Sequence, residues 1–345
     1  MSPVRGAAEA PSAEDRGAHT TLALAVVALA AFVASLLVGP SGIGLPSAGT
    51  GTGTAGAVDV ARLVLVEIRL PRAVLGFLVG AALGLSGAVL QGYLRNPLAE
   101  PGLLGVSGGG SLGAVVAIHS GASSAFALAL PLGGLAGAAA ATFAVVRLAG
   151  ERSGTLSLIL AGVAISSLTG ALTSLALNLA PNPFASVEIL YWLMGSLTDR
   201  SLLHVGLAAP LVALGVAILM TTARDLDALT LGDEAAENLG TDLAKLRTRV
   251  VAGTALAVGA ATAVSGAIGF VGLVVPHLLR PFTSREPGRL LWPSLFGGAA
   301  LVLAADVLLR LLSPAGDLRL GVVTAILGAP FFLWLVLQTR RELTP

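Results

Sequence analysis

"SGAIGFVGLVVPHLLR", residues 265–280, decides how many times this chain crosses a membrane. It closes a charge-free window of 30 residues, Val250 to Leu279. A helix spans roughly 30 Å of hydrocarbon with about 20 residues. Thirty is therefore long for one span and short for two. Gly266 and Gly269 interrupt the apolar run. The reading adopted is a full helix followed by a short one that ends near Pro281.

The other windows are read in the same way. Thr20–Gly39 is an uncleaved first helix, because a cleaved signal has an apolar core of only about 7–15 residues. Ala73–Leu94 is one helix. Pro101–Val146 is long enough for two, with "HSGASS" (residues 119–124) as the hinge. Ser153–Val187 holds one helix with an exit at "APNP", and Ser201–Ala223, Leu290–Leu312 and Leu320–Thr339 hold one each. The total is ten, within a range of eight to ten that the windows permit. Residues 1–19 form a polar tail, expected to be disordered, and residues 20–340 form a single transmembrane domain.

Composition supports this class. Hydrophobic residues make up 55% and charged residues 11%, against roughly 25% charged in a soluble domain. Mean hydropathy is +0.89. With ten helices and both termini cytoplasmic, fourteen of the twenty Lys/Arg lie inside, as the positive-inside bias requires. Arg62, Arg69, Arg72, Arg200, Arg310 and Arg319 lie outside. Removing the short helix would move Arg340 and Arg341 outside, which the bias disfavours.

Several functions are excluded or weakened. No Lys/Arg cluster of the kind that neutralises a phosphate backbone is present, so nucleic acid is not an expected partner. There are no cysteines, hence no disulfides or thiolate metal sites. Gly108, Gly110 and Gly113 satisfy GxGxxG, but a dinucleotide site needs a preceding strand. A P-loop needs a lysine after its second glycine, and the one lysine, Lys245, lies in "DLAKLRTR". The four histidines show no paired spacing, so no metal site, cofactor or catalytic residue is expected. His277 is read as a packing or backbone-bonding residue. Asp306 and Arg310, at i and i+4, are read as a pair that neutralises itself within one helix.

Gly76, Gly80, Gly84, Ala88 and Gly92 recur every four residues. In lipid such a stripe lets helix backbones approach closely. It is read as a helix–helix seam, with a smooth wall of a translocation path as the alternative. "RNPLAEPGLLGVSGGG" (residues 95–110) is a rigid cytoplasmic turn stiffened by Pro97 and Pro101. Residues 222–249 form the largest polar segment between spans. They are read as two short helices, the first capped by Asp233 and stopped by Gly240. A connector needs only about 2–8 residues, so this length points to docking of a partner.

Five blocks then resemble, in order, the FecCD family of permeases, the membrane subunits of type II ABC importers for iron–siderophores, haem and cobalamin. They are residues 69–114, "YWLMGSL" (191–197), "LTLGDEAAENLG" (229–240), "SGAIGFVGLVVPHLLR" (265–280) and "GVVTAILGAPFFLWLVL" (321–337). The resemblance covers residues 60–340. It implies an all-α fold of ten transmembrane helices in the bacterial cytoplasmic membrane and a second permease subunit, identical or paralogous. It also implies two separate ABC ATPase subunits and an extracytoplasmic substrate-binding protein.

By the same resemblance Gly232, Asp233, Glu234 and Gly240 belong to the segment that couples to the ATPase. Asn96 and Leu98 match a cytoplasmic gate. Arg69 and Arg72, joined by Arg310, match arginines that dock the binding protein, where the residues alone would suggest interfacial anchors. The chain departs from the family in its long polar tail and at Asp317–Arg319, where a proline is missing. The expected cargo is an iron–siderophore, with cobalamin or haem as the alternative. An ion-coupled secondary transporter is the reading from another class. It would need buried ionisable relays, and only Asp306 qualifies.

Overall fold

The computed structural model describes residues 13–39, 42–43, 60–150, 154–283, 286–313 and 318–343. Among these, eight helices are long and apolar enough to cross a membrane. Two shorter apolar helices, Val106–His119 and Val271–Phe282, bring the number to ten. The window at Val250–Leu279 therefore divides as read.

The chain begins with α1 (Ala13–Leu37) and a two-residue hairpin, β1 (Val38–Gly39) with β2 (Gly42–Ile43). A helix from Val60, with a π-helical turn at Val64–Arg69, runs into α2 (Leu70–Tyr93). Then come α3 (Val106–His119), α4 (Ala129–Ala149), α5 (Thr155–Asn178) and α6 (Pro183–Leu193). These are followed by α7 (Leu202–Met220), α8 (Ala223–Leu229) and α9 (Asp233–Asn238). The last four are α10 (Leu243–Ser265), α11 (Val271–Leu279), α12 (Pro287–Leu312) and α13 (Leu320–Leu343).

Four boundaries differ from the sequence reading, each for a local reason. The second span starts a full three turns before Ala73, so Arg69 and Arg72 are helical residues rather than loop residues. Window 153–187 does not end in a plain exit. Asn182 accepts the Ala185 N–H through its side chain at 2.9 Å, and Pro183 occupies the first turn, so α6 begins there. That is a helix start on both counts. α10 begins at Leu243, where Asp242 caps it by accepting the Lys245 N–H at 3.0 Å. The two short helices are α8 and α9, and the residues after Asp242 belong to the span. The first span starts at Ala13; residues 1–12 of the expected tail, and Asp317, lie outside the described residues.

α2 is the axis of the bundle, with 83% of its apolar window buried against 11% for α1. Its glycine stripe is a seam with the antiparallel α12. A Cβ on Gly76 would meet Leu303, one on Gly80 the Gly298 carbonyl, one on Gly84 the Ser294 carbonyl, and one on Gly92 Pro287. The α12 numbers fall as the α2 numbers rise, as two antiparallel helices in continuous contact require. Side chains are excluded so that the backbones can touch, which replaces the hydrophobic effect as a source of association in lipid. Gly113 packs in the same way on Gly133 of α4. The GxGxxG match is thus part of helix packing.

Candidate functional sites at the two ends of the bundle

At the end predicted to face outward, three arginines converge. Arg72 chelates Asp306, with Nη2 2.8 Å from Oδ1 and Nε 3.0 Å from Oδ2. Arg310 reaches the same carboxylate through Nη2 at 2.9 Å. The pairing of Asp306 is therefore not confined to its own helix: one carboxylate, 1% exposed, serves cations from α2 and α12. Arg310 also donates through Nη1 to the carbonyls of Ser35 (2.9 Å) and Val38 (2.6 Å), and through Nη2 to Ser35 Oγ at 2.7 Å. Arg69 Nη1 donates to the carbonyls of Leu36 (2.8 Å) and Leu37 (3.0 Å).

The reason lies in α1. The last four carbonyls of a helix have no partner within it and carry the negative end of its dipole. Ser35 and Val38 are buried, which keeps water from bonding their carbonyls. Arg69 and Arg310 supply both the donors and the charge. The structure thus joins all three sequence-predicted arginines in one network across α1, α2 and α12. Arg69 and Arg310 are 5% and 6% exposed, and the Arg72 side chain 14%.

At the same predicted outer end three of the recognised blocks meet. Gly195, Gly266 and Gly321 come from the ends of three different helices. An added Cβ on Gly266 would overlap the Trp192 carbonyl, and one on Gly321 the Met194 carbonyl. Ser196 N–H donates to the Ser265 carbonyl at 2.7 Å, and Arg200 Nε to the Val264 carbonyl at 2.5 Å. Gly195 and Gly266 have φ of +68° and +71°, where a side chain would be strained. An apolar cavity of about 620 Å³ opens beside this junction, lined by Met194, Ala267, Ile326 and Pro330 among others.

From the junction the chain dives inward. α11 is only nine residues long, about 13 Å at 1.5 Å per residue. Its first turn lies beside Gly87 and Gln91 of α2. Pro276 has no N–H for the Gly272 carbonyl, so that carbonyl is orphaned inside the helix. Gln91, 2% exposed, donates through Nε2 to Gly272 O at 3.3 Å and Leu273 O at 3.2 Å. Its Oε1 accepts from Arg280 at 2.8 Å. Nothing in the sequence reading singled out Gln91, although a glutamine inside an apolar span is itself a signal. His277 packs edge-on against Phe331 with ring centroids 5.6 Å apart.

At the opposite end, predicted cytoplasmic, the turn between α2 and α3 is a compact hairpin. Asn96 Oδ1 accepts the Leu98 N–H at 2.9 Å, an Asx turn, and Ala99 N–H bonds Asn96 O at 3.1 Å. Both predicted gate residues therefore sit in one hydrogen-bonded loop. Pro101, at the end of this turn, lies against Gly272 of α11, which ties the turn to that half-helix.

The segment read as a docking element lies beside it. α9 is held by Ala236, which is fully buried, while Leu231 and Leu239 on either side are 67% and 65% exposed. The conformations of Gly232 (φ +102°) and Gly240 (φ +92°) open and close it. Contrary to the sequence reading, Asp233 does not cap α9: Gly232 holds the cap position and the Asp233 carboxylate binds Arg95 at 2.6 Å. Asp227 of α8 instead caps α12, accepting the Gly288 N–H at 2.7 Å. Burial raises the pKa of that carboxyl, against the pull of the Gly288 N–H. Asp225 pairs with Arg249 of α10 at 2.6 Å. The sequence reading missed both acids because their partners lie 61 and 24 residues away.

Comparison with known proteins gives consistent matches. The model of the FecCD transport family aligns with residues 24–338. The cobalamin import system permease BtuC of Halobacterium salinarum is 40% identical over 284 residues, covering 81% of this chain and 75% of that protein. The vitamin B12 import system permease BtuC of Shigella boydii is 39% identical over 320 residues, covering 93% and 95%. Among solved structures, a metal-chelate type ABC transporter in an inward-facing conformation superposes with a TM-score of 0.81 at 30% identity. It covers 93% of this chain and 99% of its own.

Proposed function

Because the chain belongs to the FecCD transport family, whose model spans residues 24–338, we propose that it carries a chelated metal inward by alternating access between two ATP-driven states. It is a multi-pass permease subunit of an ABC importer in the cytoplasmic membrane. Such a permease works with ATPase, substrate-binding and second permease partners. In the proposed assembly there are two permeases and two ATPases. Both termini and α8–α9 face the cytoplasm.

The observation that carries this reading is α9. Leu231 and Leu239 are exposed on a polar segment, where no lipid is available to cover them. A water-facing pair of leucines marks a contact surface. In the proposal they enter the ATPase together with Glu234, and the hairpin at Asn96 and Leu98 narrows the path at its inner end. At the outer end Arg72, held by Asp306 and the most exposed of the three arginines, meets an acid of the binding protein, with Arg69 and Arg310 adding positive charge beside it. Replacing Leu231 and Leu239 with Asp is expected to cut co-purification of the ATPase subunits at least about tenfold, the effect of losing about 1.4 kcal/mol at an interface. Undiminished co-purification would remove α9 from the docking surface.

For cargo, the relatives named for cobalamin at 39–40% identity favour cobalamin over the iron–siderophore expected from sequence. A strain lacking the permease, restored with this chain, is expected to take up labelled cobalamin. Uptake of ferric siderophore alone would support the second reading.

A further inference from the structure

Arg95 stands where a side chain is least expected. The Arg95 N–H bonds Gly92 O and the Asn96 N–H bonds Gln91 O, both at 3.2 Å. That is a Schellman stop, whose left-handed position is normally glycine. Arg95 holds it with φ +48°. Glycine would stop α2 with less strain, and an observed backbone outlier points to a role for the side chain that occupies it. Its guanidinium makes one 2.6 Å contact, with Asp233 at the start of α9.

Two further features give that contact meaning. The hairpin that follows Arg95 is internally rigid, through the Asn96–Leu98 and Asn96–Ala99 bonds, so a pull on Arg95 moves Asn96 and Leu98 together. Arg95 also lines two separate cavities, one of about 330 Å³ with Tyr93, Asp233 and Arg247, the other of about 320 Å³ with Gln91, Asn96 and Arg280. Arg95 thus stands between two surface openings, one toward α9 and one toward Arg280. Among the described residues, the Arg95–Asp233 ion pair is the side-chain link that joins the hairpin to α9. Both side chains are about half exposed, 45% and 55%. A pair so exposed contributes little to the stability of the fold, so its removal is expected to leave the fold intact.

We infer that the Arg95–Asp233 ion pair is the strut through which displacement of α9 moves the Asn96–Leu98 hairpin. Arg95 is in this sense a positioning residue and touches neither cargo nor nucleotide. The inference rests on the docking and gate readings above. When a bound ATPase shifts α9, the ion pair drags the hairpin across the inner mouth of the path. Without it, ATP hydrolysis continues and the hairpin no longer follows.

The absence of cysteine makes a direct test available. Leu98→Cys serves as a reporter in the assembled complex with its ATPases, in inside-out vesicles. The rate of its reaction with a membrane-impermeant maleimide is compared with and without ATP and vanadate. The rate is expected to change by about fivefold or more, the low end of an allosteric coupling. Adding Arg95→Glu is expected to reduce that change to less than twofold, with ATPase co-purification and hydrolysis retained. Arg95→Lys, which keeps the charge, is expected to restore most of it.

A change preserved in Arg95→Glu overturns the strut while leaving docking and gate intact. No ATP-dependent change in the reporter itself overturns the gate reading and the strut together. Loss of the ATPases from Arg95→Glu overturns the strut by making Arg95 a docking residue.

Discussion

Asp306→Leu is expected to lower the unfolding free energy by about 3–5 kcal/mol, the cost of removing one partner from a buried ion pair. The carboxylate is 1% exposed and is shared by Arg72 and Arg310. Its removal strands the largely buried Arg72 on α2 and leaves Arg310 with the backbone carbonyls of Ser35, Val38 and residue 306 and with Ser35 Oγ. Denaturant titration of the purified chain in micelles measures this. The double variant Asp306→Leu/Arg72→Met removes the stranded cation and is expected to recover more than half of the loss. A single-variant loss under about 1 kcal/mol, the level of an exposed pair, would mean that water reaches the network and the three helices are held by packing alone.

Gly84→Val is expected to be of similar size, at the upper end of the about 1–3 kcal/mol typical of overpacking. The obstacle is decisive here. The new Cβ would overlap the Ser294 carbonyl oxygen, with the Gly298 Cα 3.0 Å away. Backbone in the middle of a helix cannot rotate aside as a side chain does, so α2 and α12 must separate along the seam. Gly206→Ala on α7 is the matched control. A Cβ there meets nothing within 4 Å, so the change should be neutral or slightly stabilising, because alanine favours helix over glycine by roughly 1 kcal/mol. Equal effects at Gly84 and Gly206 would show that the stripe does not form the seam. Size-exclusion profiles and thermal aggregation in detergent separate the two outcomes.

These two sites show how unevenly the sequence can be read. The glycine stripe is visible as a four-residue period, and the partner it implies is some helix with small residues. That the partner is α12 required the structure, because Gly298 and Ser294 lie more than two hundred residues away and several helices here carry small side chains. Asp306 and Arg310 are visible as an i,i+4 pair. Arg72 enters only when α2 and α12 are side by side. The same limit applies to Asp233, whose position before "EAAENL" (residues 234–239) suggested a cap. Its carboxylate has a stronger partner in Arg95, 138 residues earlier.

α6 was legible and went unread. Asn182 followed by Pro183 is a helix start by local chemistry alone. The long charge-free window obscured it, because hydropathy records whether a segment tolerates lipid and carries no information on where a helix restarts.

The sequence by itself determined the class, the ten apolar segments, the short half-helix and the long polar segment between spans. Each follows from interactions local in the chain: the length of an apolar run against the thickness of hydrocarbon, and breaks at glycine and proline. Tertiary structure alone decided which polar groups meet. Arg69 and Arg310 close over the end of α1, Arg72 joins Arg310 on Asp306, Gln91 answers the carbonyl that Pro276 leaves open, and Arg95 reaches α9. A buried donor or acceptor in a membrane must find a partner wherever the helices bring one, and the identity of that partner is set by packing between segments far apart in the chain.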